Sequence, residues 1–392
     1  MKLPSKIAQA VRNTPYYSNM QTDISLVSEF PILCKNDVVI NTDQFLCDSY
    51  RFLPKTFVRT SGSSGVPLQM PWNPIEYCGS LSELWKIRKQ YGVSPADNYV
   101  SSHISLYNFD NNSTVKAVIQ KNNLSLSKAL VNEQTFLYYH KLIVDFSPKW
   151  MFMPPSFLYG FLLFLKERNL ELPESIVLVE LTGEYCSAKL FEWFETTYPN
   201  LTWKLMYGMQ EFNGIAYGSP NGMKILDKNV YVEILDEYGT TLKPYEEGNI
   251  VISGLKNSAF PLIRYKSEDY GYFDSNGFLH ITKARSNDFI RINDSIYDGA
   301  IFWNVILEIN SKLDIKVFQF QVILQNNILY FKLRVANSDN LLIAHIVTFI
   351  SNYLSATYGF EFEIDVQFVD EILPIQDKNK IKYFINQHQT LN

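Results

Sequence analysis

Hydrophobic positions along this 392-residue chain fall into three successive rhythms. From Asn98 to Trp203, β-rich runs alternate with stretches of helical period: NYVSSHI, then NSTVKAVIQ read as a helix, then KWMFMPP, SFLYGFLLFLKER, SIVLVEL, AKLFEWFETTY and TWKLM. Such alternation predicts parallel strands joined by crossover helices, an α/β layer. Tyr159 to Lys166 is apolar on nearly every side, which predicts a buried helix; it is far too short to span a bilayer.

After about Gly214 the rhythm changes to short strands set apart by turn residues, in MKILD, YVEILDEYG, GNIVISGL, FPLIRY and GYFDSNGFLHI. This predicts a β-rich subdomain without helices. From about Phe289 a third rhythm begins: a helix in AIFWNVILEIN, strands in IKVFQFQVIL and ILYFKLRV, an amphipathic helix in NLLIAHIVTFISNYL and a strand in FEIDVQFV. That order suits a separate α+β domain of about 100 residues. The expected fold class is therefore α/β: a large N-terminal α/β domain with a β-rich subdomain, plus a small C-terminal α+β domain.

Composition narrows the classes. With 46% hydrophobic against 19% charged residues, the chain can bury a sizeable core, and disorder or low complexity is excluded. At about 150 residues per domain, two or three domains are expected. The net charge of −5 gives no support to nucleic-acid or anionic-membrane binding, which needs clustered Lys and Arg. Cys34, Cys47, Cys78 and Cys186 stand far apart without CxxC or Cys/His spacing, against a disulfide framework or structural zinc. No segment approaches the length of a membrane span or a signal-peptide core, so the expected location is a reducing cytoplasm.

Candidate chemistry lies in a few short segments. Arg59 to Pro67, RTSGSSGVP, packs Gly, Ser and Thr into a loop whose backbone could approach a phosphate and form an anion nest; taken alone, such a loop is more often a flexible connection, and it lacks the Walker A spacing. Pro154-Pro155-Ser156 ends a strand and opens a helix, with Ser156 as candidate N-cap. Thr182-Gly183-Glu184 and Tyr207-Gly208-Met209-Gln210-Glu211 each follow a predicted parallel strand, at the carboxyl ends where open α/β sheets bind ligands. Read singly, Glu184 and Glu211 are also ordinary solvated charges.

Taken in order, TSGSSGVP, PPS, TGE, YGMQE, FPLIRYKSED, ARSNDFI and LPIQDKNKIKYF resemble the signature motifs of adenylate-forming enzymes. The likeness is strongest to the phenylacetate-CoA ligase branch and its relatives in polysaccharide gene clusters, and NTPYY and FPILCKNDV extend it to the N-terminal region. The resemblance implies an N-terminal ATP- and acid-binding domain, 1–287, and a mobile C-terminal domain, 288–392, hinged at Asp288. It implies ATP and Mg²⁺ as cofactors and activation of a small carboxylic acid as acyl-AMP with release of pyrophosphate. Transfer to CoA, a carrier-protein thiol, an amine or a hydroxyl would follow.

By the same resemblance, Thr60, Ser61, Gly62, Ser63, Ser64 and Gly65 would cradle the β- and γ-phosphates. Glu211 would hold the metal, Tyr207 with Gly208 would lie against adenine, and Gly183 and Glu184 would line the nucleotide and acyl site. Asp269, helped by Arg285, would accept from the ribose hydroxyls. Lys380 would stabilise the carboxylate and the forming phosphorane, although Lys378, Lys380 and Lys382 also read as a solvated face. The acyl pocket would be walled by His103, Tyr107, Phe109, Met153, Phe157 and Met209; each of its aromatic and Met residues reads equally well as core. The chain departs from the pattern at Leu68, at Glu268 where relatives have Gly, at Ala284, and at Asn293-Asp294-Ser295, whose side chains would narrow a thiol tunnel. These departures motivate an alternative: a nucleotide- or acyl-adenylate-binding scaffold without turnover.

Overall fold

The computed structural model describes residues 1–18, 20, 26–59, 68–103, 106–108, 113–128, 131–283, 289–292, 295–335, 340–372 and 382–387. Packing divides the chain into two compact units, Met1–Ser94 with Lys204–Arg285, and Pro95–Trp203 with Ser286–Asn392. The seam at Arg285/Ser286 falls beside Asp288, where the sequence rhythm changes.

The first unit is built on the strands Val230–Leu235, Gly248–Gly254, Tyr265–Phe273, Leu279–Lys283, Gly222–Ile225, Asn213–Ser219 and Thr202–Met209, in that spatial order. All neighbouring pairs among them are antiparallel. Gly248–Gly254 is buried along its whole length, whereas Tyr265–Phe273 alternates, with Tyr265, Ser267, Asp269 and Gly271 inward. Short N-terminal helices, Ser5–Arg12 and Pro15–Ser18, press Ile7, Val11 and Tyr17 into the same core as Phe30, Phe45, Trp72 and Phe260.

FPLIRY enters a strand only at Tyr265, a correction to the sequence reading. Pro261 has no N–H to give a ladder, and Arg264 sits at φ 54°, in the left-handed region. The chain holds Arg264 there from all sides: its Nη1 donates to Phe30 O at 3.0 Å and Ser28 O at 3.3 Å, and its Nε lies 3.3 Å from Glu233 Oε2. Burial pushes the Glu233 carboxyl up, an effect the Arg264 charge only partly offsets. Just beyond, Val251 pairs with Lys266 and Asn249 with Tyr270, so Ser267, Glu268 and Asp269 form a bulge opposite Ile250. Ser267 Oγ donates to Ile250 O at 2.9 Å and accepts from Asp269 N at 3.1 Å, pinning the bulge at both ends.

In the second unit, the strands Leu178–Leu181, Trp150–Met153, Tyr99–His103 and Asn123–Ser127 run parallel in that order, and Ala117–Gln120 closes the edge antiparallel. The expected helix in NSTVKAVIQ is therefore a pair of strands, Ser113–Val115 and Ala117–Gln120. Its β-branched residues suit a pleated edge, and a tight turn through Lys121 at φ 53° pairs Gln120 with Asn123. Pro155–Glu167 is the buried helix expected, with Phe157 to Leu165 all buried. Its N-cap is Pro154 rather than Ser156, because Pro155 takes the first helical position, where a missing N–H costs nothing.

The same unit contains a second sheet with the order Glu363–Phe368, Ile328–Val335, Val317–Gln325, Phe384–Asn386. The helices Ile301–Lys312 and Ile343–Tyr358 accompany it, the latter closed by Gly359 at φ 70°. The last strand, only three residues long, was not expected from the sequence. Helix Pro155–Glu167 packs on strand Val317–Gln325, and a Cβ at Gly160 would run into the carbonyl of Phe318. Asn310 Nδ2 donates to Tyr159 Oη at 2.6 Å, and Lys189 pairs with Glu308. Among the described residues no helix is long and apolar enough to cross a membrane. The four cysteines are free thiols.

Candidate functional site

In the first unit, the YGMQE and SED segments meet. Tyr207 and Asp269 are 62 residues apart in sequence, yet Tyr207 Oη donates to Asp269 Oδ2 at 2.6 Å, a short bond of the charge-assisted kind. Tyr207 lies in the last turn of the ladder of Thr202–Met209, not after it as expected, and the pairing shifts register between Tyr207 and Gly208. Gly208 is required by close approach, since a Cβ would meet the carbonyl of Asn213 across the ladder. The bulge on the facing segment presents Asp269, only 6% exposed, on the inward face.

Glu211 occupies the turn after that strand and is buried at 6% exposure. Its Oε1 accepts from Tyr265 Oη at 3.2 Å. Glu211 also lines a cavity of about 10 Å³ with Trp72, Asn229, Lys256 and Asn257, room for about one water. Met209, expected in an acyl pocket, packs against the hydrophobic core of the unit.

In the second unit, Gly183 takes φ 79° immediately beyond strand Leu178–Leu181, a turn that a side chain would strain. This turn aims Glu184 at the start of helix Pro155–Glu167, where its Oε2 accepts from the Ser156 backbone N at 3.3 Å. A carboxylate there satisfies one of the orphan N–H groups of the helix and suits its positive end. Lys128 Nζ stands 3.6 Å from the other oxygen, Oε1. Glu184, Lys128, Ser156 and Phe157 share a cavity of about 40 Å³ with aromatic residues including Trp303, Phe320 and Tyr383.

Phe157 belongs to an aromatic cluster with Phe136 and Tyr139, ring centroids 6.0 and 6.2 Å away, and Met153 is wholly buried. His103 Nδ1 lies 2.6 Å from Ser125 Oγ on the neighbouring parallel strand. Tyr107 lies on the short strand Leu106–Asn108, paired with Thr114. Thr60 to Gly65, Phe109, Arg285, Asp288, Asn293-Asp294 and Lys380 lie outside the described residues. Sequence reasoning missed the parts played by Lys128 and Tyr265. Tyr265 stands inside the quoted FPLIRYKSED segment, and the inward phase it shares with Ser267 and Asp269 was the available signal.

No protein-family model matches the chain, and no curated protein sequence matches it. Solved structures do. 2-Hydroxyisobutyryl-CoA ligase in the postadenylation state superposes with a TM-score of 0.71 over 98% of this chain and 88% of the other, at 13% identity. The anthranilate CoA ligase AuaEII with anthranoyl-AMP gives 0.57 over 83% and 64%, at 16% identity. o-Succinylbenzoate CoA synthetase from Bacillus subtilis with its acyl-adenylate intermediate gives 0.53 over 83% and 67%, at 18% identity. At such identities the likeness establishes architecture: the chain has the mixed α/β fold of adenylate-forming enzymes, with a large sheet and a smaller C-terminal α+β region.

Proposed function

We propose that this protein activates a small carboxylic acid with ATP, as a member of the adenylate-forming superfamily on its phenylacetate-CoA ligase-like branch. A carboxylate oxygen attacks the α-phosphorus, the bond from the α-phosphorus to the bridging oxygen breaks, and pyrophosphate leaves with that electron pair. The carrying observation is the bond between Tyr207 and Asp269, which joins two motifs of the ordered series at one spot. In this reading Asp269 accepts from the ribose hydroxyls, and Tyr207, held by it, lies with Gly208 against the adenine. The backbone at Glu268, φ 68°, follows the path a glycine would take, so the departure there leaves the bulge and Asp269 in place. That removes one of the departures that motivated a binding-only scaffold.

Glu211 is the proposed Mg²⁺ ligand. Among the described residues no three His, Cys, Asp or Glu gather as a metal cage. One buried hard-oxygen donor fits a cation that brings most of its ligands as phosphate oxygens and water, as Mg²⁺ does. When bound, the ion would offset the negative charge that collects on the phosphates. Thr60 to Gly65 supply amide and hydroxyl donors to those phosphates, Arg285 and Lys380 supply positive charge, and Gly183 and Glu184 border the nucleotide. His103, Tyr107, Phe109, Met153 and Phe157 wall the acyl pocket of this proposal, without Met209, which packs on the core of the first unit. Residues 288–392 act as a mobile C-terminal domain hinged at Asp288.

The second half-reaction passes the acyl group to CoA, a carrier-protein thiol, an amine or a hydroxyl; the product mass with and without CoA sorts these. The test of the first half-reaction is trapping: ATP, Mg²⁺, hydroxylamine and a panel of small aryl and aliphatic acids should yield AMP and an acid hydroxamate. Lys380→Ala should lower the yield on the order of 10²-fold with an unchanged melting temperature. No AMP from any acid in the panel would overturn the proposal.

A further inference from the structure

We infer that Tyr265 is a positioning residue for Glu211, an inference that rests on the reading of Glu211 as the carboxylate facing the nucleotide's metal ion. Glu211 sits in a turn, and a Glu side chain in a turn samples several rotamers unless something holds its head. The Tyr265 hydroxyl donates to Glu211 Oε1 at 3.2 Å. Tyr265 itself has little freedom. It is 2% exposed, its ring meets Phe212 at 5.9 Å, and Leu33 clamps the flanking backbone, donating to Arg264 O and accepting from Lys266 N.

The chemistry of the donor matters as much as its rigidity. A phenol holds a carboxylate by one hydrogen bond and leaves its negative charge intact, whereas a Lys or Arg in the same place would neutralise it and compete with a cation. The phenol therefore fixes the direction of the carboxylate while leaving it anionic toward a divalent ion. Neighbouring Phe212 packs on the same ring but contributes no polar atom, so loosening the core and removing the hydroxyl are separable changes.

The experiment measures Mn²⁺ binding by electron paramagnetic resonance in the presence of a non-hydrolysable ATP analogue, with the nucleotide affinity in the absence of metal as reference. Tyr265→Phe should weaken Mn²⁺ binding about tenfold, the low end of what one hydrogen bond to a charged group contributes, and leave metal-free nucleotide affinity unchanged. Glu211→Gln should weaken it further, and the double variant should be no weaker than Glu211→Gln alone. Phe212→Leu, the control for loosened packing, should bind Mn²⁺ as wild type does. The inference falls if Tyr265→Phe keeps wild-type Mn²⁺ affinity, if the two single effects multiply, or if Phe212→Leu reproduces the loss. A wild-type protein that binds no Mn²⁺ with nucleotide overturns the functional reading itself, and this inference with it.

Discussion

Glu268 stands at φ 68°, a conformation that costs an L-residue with a long side chain about 1–2 kcal/mol and glycine almost nothing. Glu268→Gly should therefore raise the unfolding free energy by about 1 kcal/mol, after the glycine's added freedom in the unfolded chain is counted, and Glu268→Val should lower it. Denaturant melts decide; a destabilised glycine variant would mean that the side chain contributes contacts outweighing the strain. The mismatch at this position was legible in the sequence, because Lys266-Ser267-Glu268-Asp269 places a Glu where the resembling motif has Gly. The bulge that makes the mismatch bearable was not, since it depends on the pairing of Val251 with Lys266 and Asn249 with Tyr270. Asp269, Glu211 and Tyr207 were legible as site candidates from motif order, but Tyr265 was not, and neither pairing was. A hydrogen bond between residues 62 or 54 apart is a product of the sheet and leaves no local trace.

At the scale of elements, the buried helix Pro155–Glu167 was readable because its residues are apolar on every side, whereas NSTVKAVIQ misled because Val115, Val118 and Ile119 share helical spacing by chance. Their β-branched shape and the turn at Lys121 favour strands. Close packing of that helix on strand Val317–Gln325 depends on Gly160, so Gly160→Ala should destabilise the protein by about 1–3 kcal/mol through overpacking against Phe318, measured by thermal melting. A neutral result would mean that helix and strand part without cost. Helices Ala188–Thr197 and Ile301–Lys312 are linked by Lys189 and Glu308, and hydrogen bonds from Lys189 and Lys312 hold the Glu308 carboxyl below its ordinary 4.5. A depressed carboxyl stabilises the folded state above pH 4.5, and that stability is lost as pH falls through the lower folded value. Glu308→Gln should therefore flatten the acid limb of stability against pH below about 4.5; an unchanged acid limb would contradict it.

For the whole molecule, the change from α/β to β-rich to α+β rhythm was legible, since it needs only local periodicity. The grouping of Ser286–Asn392 with Pro95–Trp203 was not, because it arises from packing between segments remote in sequence, such as Asn310 on Tyr159. The candidate site divides the same way: motif order names its residues, and long-range pairing decides which of them touch. On the proposed reading, the slightly acidic chain, at −5, would bind ATP through placed donors, a metal and a few cations rather than bulk charge. Affinity for ATP should accordingly depend on Mg²⁺ far more than on ionic strength. The central claim is that a carboxylate attacks the α-phosphorus reversibly, and isotope exchange between labelled pyrophosphate and ATP measures this with no acceptor present. Exchange that appears only when an acid from a broad panel is added, and that disappears in Lys380→Ala, is the result expected. ATP binding without exchange for every acid would contradict the claim and leave a nucleotide-binding scaffold in its place.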